Sequence, residues 1–228
     1  MPHQINTLNE KPLHAALKDW YVQPGDEVEV KMKGFYVDIV RGGLLIEIQT
    51  RGFAAIRRKL GRLVDDHPIR LVYPIAAEKW IVRLDKDGKV LGRRKSPKHG
   101  AHEDVFEELV SMPRLMQHPN MSLETLLIQE EEVRYHDPNR GWRRKGWMTH
   151  ERRLLKVLDR RIFTTAAELA AFIPEITPEL FTTADLAIAT KRPRWVMQKM
   201  AYCLREMDAI HVVGKKRNAI VYERTLLT

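Results

Sequence analysis

The stretch Gly34–Arg51, GFYVDIVRGGLLIEIQTR, constrains the fold more than any other part of the chain. Two apolar, β-branched runs, FYVDIV and LLIEIQ, flank Arg41-Gly42-Gly43. Branched side chains favour pleated strands, and a glycine pair between two such runs is a hairpin signal. Side chains alternate faces along a strand, so Glu47 and Gln49 share one face while Ile46 and Ile48 share the other. Asp38, on the preceding strand, can face the same side as Glu47. Two carboxylates converging there make a hard oxygen site suited to Mg²⁺ or Mn²⁺, completed by a backbone carbonyl and waters. Such a metal lowers the pKa of a bound water and stabilises charge on a phosphate under attack. Asp38 and Glu47 are therefore the candidate metal ligands, and Gln49 is placed to orient the attacking water. The structural alternative is a half-exposed strand whose polar face is merely solvated.

The flanks fit around this hairpin. Leu13, Leu17, Trp20 and Tyr21 recur at helical spacing, and Pro24-Gly25 stops the helix they predict. VEVKM precedes the hairpin as a further strand. After Gly52 the pattern turns helical, with Phe53, Ile56, Leu60 and Leu63 on one face, and IRLVYPI follows as a strand ending at Pro74. The predicted order is helix, three strands, helix, strand.

That order and its acidic residues resemble the PD-(D/E)XK nuclease superfamily, and most closely its resolvase-like members. The matching elements are Val37-Asp38-Ile39-Val40, Glu47-Ile48-Gln49 and Thr50-Arg51, with Glu10 where many members carry a glutamate on the first helix. The resemblance covers roughly residues 9 to 75. It implies an α/β fold with an αβββαβ restriction-endonuclease-like core, catalytic roles for Asp38, Glu47, Gln49 and Glu10, a Mg²⁺ or Mn²⁺ cofactor, and a homodimer. Two features depart from the pattern. No proline precedes Asp38, and Gln49 stands where a lysine is usual. Arg51, Arg58 and Lys59 are the neighbouring cations that could supply the missing charge.

The remainder divides into a middle region, 76–147, and a C-terminal one, 148–228. In the middle, EKWIVRL and KVLGRRK predict a hairpin around Asp87-Gly88, and AHEDVFEELV predicts a short helix. LETLLIQEEEVRY suits a strand or a helix, and DPNRGWRRKGW has the composition of a linker. Ser96, in RRKSPKHG, sits in a phosphate-contacting loop or a solvated turn. Trp142 and Trp147, with Arg143, Arg144 and Lys145 between them, suit base stacking or plain packing. From Met148, Thr149 predicts a cap for a helix carrying Leu154, Leu155 and Leu158, with Glu151 in its first turn. TTAAELAAFI, ADLAIA and WVMQKMAYCLREM predict further helices, and IHVV and IVYERT a hairpin with the basic tip GKKRNA. Helix, turn, helix and basic hairpin is the winged-helix order.

Charge decides how that module is read. Lysines and arginines outnumber acids 39 to 30, a net charge of +9, and polyanions attract such chains because neutralised phosphates release counterions. Lys191, Arg192, Arg194 and Lys199 cluster at the start of the presumed recognition helix, and Lys215, Lys216 and Arg217 at the hairpin tip. With Arg51 they are the candidate DNA contacts. Met197, Met200, Leu204 and Met207 at helical spacing are core. The lone Cys203 excludes an internal disulfide and a thiolate zinc cluster, and the scattered histidines show no ligand spacing. No apolar run is long enough to span a membrane and no signal-peptide core is present, which predicts a cytoplasmic protein. The function predicted is a metal-dependent DNA nuclease, in repair, recombination or phage defence. The alternative is a catalytically inactive DNA-binding regulator or assembly subunit on the same scaffold.

Overall fold

Residues 11–140 and 145–225 are described in the computed structural model of the protein. The fold is mixed α/β: seven strands pair in the order β1-β2-β3-β4-β6-β7, with β5 also on β4, and two more form a separate hairpin. The strands are β1 (Glu27–Met32), β2 (Phe35–Arg41), β3 (Leu44–Ile48), β4 (Ile69–Leu84), β5 (Val90–Lys95), β6 (Met121–His136), β7 (Trp147–Phe163), β8 (Ile210–Lys216) and β9 (Ala219–Arg224). Helices are α1 (Pro12–Tyr21), α2 (Arg57–Leu63), α3 (Phe106–Leu109), α4 (Ala166–Ala170), α5 (Thr183–Thr190) and α6 (Arg194–Glu206). Among the described residues no helix is long and apolar enough to cross a membrane.

Contacts divide the chain into two compact units. One comprises the stretch up to Asp26, Pro74–Ala101 and Leu126–Arg160; the other comprises Glu27–Tyr73, His102–Thr125 and the chain from Arg161 on. The expected boundary after Ile75 falls inside β4, two residues past one crossing between the units, and that after Trp147 at the start of β7. Pro74, expected to close the strand that begins at Ile69, does not end β4. It lies where β4 has left β3, after the Ile48–Val72 pair, and has not met β5, which begins with Trp80–Lys95. On that side its missing N–H removes no ladder bond, so the strand runs through.

In the first unit α1 carries a buried stripe, Leu13, Leu17 and Tyr21, at i, i+4 and i+8. Each such side chain contributes about 1.5–3 kcal/mol by leaving water. Strand alternation sets a different pattern on β6. Glu130 and Glu132 face one side and are buried, while Gln129 and Glu131 face the other. Buried carboxylates are tolerated only with partners. Lys79 Nζ lies 2.9 Å from Glu130 and 3.1 Å from Glu132, Arg152 Nη2 lies 2.6 Å from Glu130, and Arg134 and Thr149 each donate to Glu132 at 2.8 Å. Burial pushes the Glu132 carboxyl up, but hydrogen bonds from Arg134 and Thr149 and the Lys79 ammonium outweigh it and hold it at about 2.

The helix expected after Thr149 is not there. Residues 147–163 form β7 beside β6, and Leu155 and Leu158, read as a helical stripe, are exposed. A partner strand of 16 residues offers a continuous backbone ladder, and that outweighs three leucines at helical spacing. The strand alternative for LETLLIQEEEVRY is the one realised.

The second unit holds the hairpin. The Arg41–Leu44 pair leaves Gly42 and Gly43, both at positive φ (53° and 89°), as a two-residue turn. β1, β2 and β3 form an antiparallel meander, α2 follows, and β4 returns parallel to β3. In the C-terminal stretch α4 and α5 each begin with a reciprocal cap, Thr165 with Glu168 and Thr182 with Asp185, each cap contributing about 1 kcal/mol. Met197, Met200 and Leu204 on α6 and Met207 just beyond it are buried, as expected of core, and Val196 and Cys203 are buried with them.

Candidate active site

Continuing the Ile39–Ile46 and Val40–Leu45 pairs by one residue sets Asp38 across from Glu47. Here β3 turns its hydrogen bonding to β4, with Gln49 N donating to Val72 O at 2.9 Å. Asp38 Oδ2 accepts the Ile48 N–H at 2.8 Å instead, so an aspartate at this point ties the two strands together. Glu47 is only 4% exposed, which is rare for a glutamate.

Lys59 on α2 completes the group. Its ammonium forms an ion pair with Glu47 Oε1 and donates to the carbonyl of Tyr36. Burial pushes the Glu47 carboxyl up to about 7, the Asp38 charge pushes the same way, and Lys59 opposes both. The centre thus holds two carboxylates against one ammonium, and Glu47 titrates near neutrality. Burial together with a specific charge partner perturbs carboxylates at functional sites and in structural ion-pair networks alike.

The donor set fits a hard divalent cation. Two carboxylates on one face supply oxygen ligands, and a small cation such as Mg²⁺ keeps several waters and needs no more than that from the protein. The Glu47 proton held by burial is the one a cation would displace. No cluster of three or more acidic, histidine or cysteine side chains suited to a metal occurs among the described residues.

The other predicted catalytic residues behave differently. Glu10 lies outside the described residues. The side-chain amide of Gln49 donates to Arg51 O at 2.5 Å and Gly52 O at 3.4 Å, closing the loop after β3. Gly52, at φ 69°, and Phe53 both donate to Glu108 Oε2, at 2.9 and 3.3 Å. Gln49 and Glu108 therefore fix the loop that leads into α2, and through it the position of Lys59. Glu108 escaped sequence reasoning because nothing local ties it to Gly52, 56 residues away. Lys59 carried a signal: it stands three residues after Ile56 and four before Leu63, a cation on an apolar stripe.

The candidate DNA contacts split into two sets. Arg51, Lys191 and Arg194 are exposed, as are Lys215, Lys216 and Arg217 on the β8–β9 hairpin. Arg192 is ion-paired with Asp104, and Lys199 donates to Glu107 O at 3.3 Å while lying over the Trp195 ring. The physical reason is that α6 packs beside α3, so cations on that side meet its acidic turns. Trp142, Arg143 and Arg144 lie outside the described residues. Ser96 is buried, its Oγ 3.3 Å from Lys98 N, closing its own turn. A cavity of about 730 Å³ bordered by α2, Met112–Pro119 and Tyr202 contains neither carboxylate.

These features define a protein with a half-buried aspartate and a buried glutamate on a mixed sheet, met by a lysine from α2. The chain belongs to the family described as Domain of unknown function (DUF8091), which matches residues 11–164 and so includes Asp38, Glu47 and Lys59. A relative from Treponema pallidum (strain Nichols), "Uncharacterized protein", is 33% identical over 184 residues, 80% of this chain and 73% of that protein. No solved structure matches the chain.

Proposed function

We propose that the protein is a Mg²⁺- or Mn²⁺-dependent nuclease that hydrolyses phosphodiester bonds of DNA at Asp38 and Glu47. The observation that carries this reading is the buried Glu47, opposed by Asp38 across the hairpin and ion-paired with Lys59. A restriction-endonuclease-like core is supported by the chain order of helix, antiparallel meander, helix and parallel strand. A winged-helix module is supported by α5, α6 and the β8–β9 hairpin following in that order. DNA as partner, a cytoplasmic location and a homodimer belong to the same reading.

Bound at the pair, the cation would supply a water acidic enough to attack at neutral pH and a counter-charge for the phosphate. Asp38 and Glu47 would hold that cation on the face of the sheet they share. Lys59 offsets part of the burial cost of an ionised Glu47 and stands where a positive charge can steady developing negative charge on the phosphoryl oxygens. It does what a lysine at position 49 would do, from the neighbouring helix. The second reading, a DNA-binding scaffold without catalysis, is favoured by one observation: the Gln49 amide is committed to its own loop.

The deciding experiment incubates the purified chain with plasmid, linear and branched DNA, with Mg²⁺, with Mn²⁺ and with chelator. Metal-dependent cleavage lost in both Asp38→Asn and Glu47→Gln supports hydrolysis. DNA binding without cleavage under every condition leaves the scaffold reading standing.

A further inference from the structure

The first unit concentrates charge in one place. The β4–β5 hairpin, residues 79–98, carries eight lysines and arginines against two aspartates. All six residues of β5 are exposed, and β5 pairs with β4 alone. The register Ile81–Arg94 and Arg83–Gly92 puts Arg83, Arg94 and Gly92 on one face. There they border a cleft of about 290 Å³ together with Ile81, Leu91 and Trp147.

The arginines of this cleft differ in what they are paired with. Outside it, Lys79, Arg134 and Arg152 neutralise Glu130 and Glu132; within it, Arg93 also lines the wall but is paired with Glu131 at 2.6 Å. Arg83 and Arg94 form no ion pair among the described residues. The Arg83 guanidinium lies over the Trp147 ring, 4.6 Å from its centroid. Stacking holds the fork flat and leaves its edge N–H groups to meet an anion, which suits a phosphate oxygen pair. A Cβ on Gly92 would meet nothing within 4 Å, so the floor between the two guanidiniums is open. Leu91, 62% exposed, adds an apolar wall.

From this geometry we infer that the cleft seats one nucleotide of a single-stranded nucleic acid, its phosphate between Arg83 and Arg94 and its base against Leu91 and Trp147. An aromatic and apolar wall beside paired guanidiniums matches an unstacked base with its phosphate, a combination a duplex does not offer. The inference does not rest on hydrolysis at Asp38 and Glu47, because this cleft would bind whether or not that centre cuts.

The test measures binding of fluorescent oligothymidylate, and of a duplex of equal length, to the full chain in chelator across a salt series. Arg83→Ala with Arg94→Ala removes two phosphate contacts. Single-strand affinity should fall on the order of tenfold or more, and the slope of log affinity against log salt should become shallower by about 1.4. Gly92→Glu, at a position without positive φ, sets a carboxylate between the guanidiniums and should give a comparable loss with an unchanged melting temperature. Arg83→Lys should recover the slope but only part of the affinity, since an ammonium keeps the charge without the fork. Unchanged single-strand affinity in both the double variant and Gly92→Glu overturns the inference. So does a loss confined to the duplex, and so does arginine-dependent sedimentation with phosphatidylserine vesicles in place of oligonucleotide binding.

Discussion

Lys59 reaches from α2 to Glu47 on β3 and forms an ion pair with its carboxylate, joining two elements through one buried contact. Both side chains are largely buried, at 14% and 6% exposure. Removing one partner of such a pair strands the other. Lys59→Met should cost about 3–5 kcal/mol near pH 8, where Glu47 would be ionised, and clearly less near pH 6, where it can take a proton. Chemical denaturation at the two pH values checks this; an equal loss at both would mean that the lysine acts through its aliphatic stem.

The pH profile of stability follows from the same carboxyl. The Glu47 pKa is raised in the folded state from 4.5 to about 7, so the native protein binds the proton more tightly than the unfolded chain. Its contribution is fully present below the unfolded value and is lost as pH rises through about 7, a change of about 3 kcal/mol. Glu47→Gln should flatten that decline, and Mg²⁺ should offset it in the wild-type chain by favouring the ionised form. Thermal melts across the window, with and without Mg²⁺, measure both effects. A Glu47→Gln protein with the wild-type slope would assign the titration elsewhere.

Asp38→Asn and Glu47→Gln should each abolish cleavage while leaving DNA affinity unchanged or slightly raised, since negative charge beside phosphate is lost. Paired cleavage and anisotropy assays separate the two steps. A parallel loss of binding and cleavage, with a lowered melting temperature, would point to damage in the sheet instead.

The basic residues of the C-terminal stretch should divide by what they touch. Replacing Lys215, Lys216 and Arg217 with alanine should make the salt slope on duplex DNA shallower by about 2 to 3 units, at about 0.9 per phosphate, with no change in stability. Arg192→Ala should do the reverse: it breaks the pair with Asp104 and lowers stability by about 1.5–3 kcal/mol while leaving the salt slope alone. A shallower slope in Arg192→Ala would return that residue to the DNA contacts.

Much of the site was legible because its signals are local. Gly42-Gly43 between branched runs dictated the hairpin, and the hairpin register alone brings Asp38 opposite Glu47. The helical stripe through Leu60 and Leu63 and the following IRLVY run gave α2 and the parallel start of β4. What stayed hidden depends on residues distant in sequence. Which cation serves Glu47 is settled by how α2 lies on the sheet, and the loop before it is held by Glu108 from another element. β7 was hidden for the opposite reason: its leucines carry a helical spacing that only the neighbouring β6 ladder overrides. Arg192 and Lys199 looked free for DNA because their partners, Asp104 and Glu107, lie near α3.

Neither compact unit is a continuous piece of chain: the backbone passes from one to the other at residues 26/27, 73/74, 101/102, 125/126 and 160/161. During synthesis on the ribosome the β2–β3 hairpin emerges early, but the unit around it still lacks Arg161 onward, the stretch that contains α6. That unit is complete only once the stretch from Arg161 on has been made. No single cut can yield a fragment that contains all of one unit and none of the other. Genetic dissection of this protein by halves should accordingly give insoluble pieces, and its two regions are better separated by point substitution or by co-expressing complementary fragments.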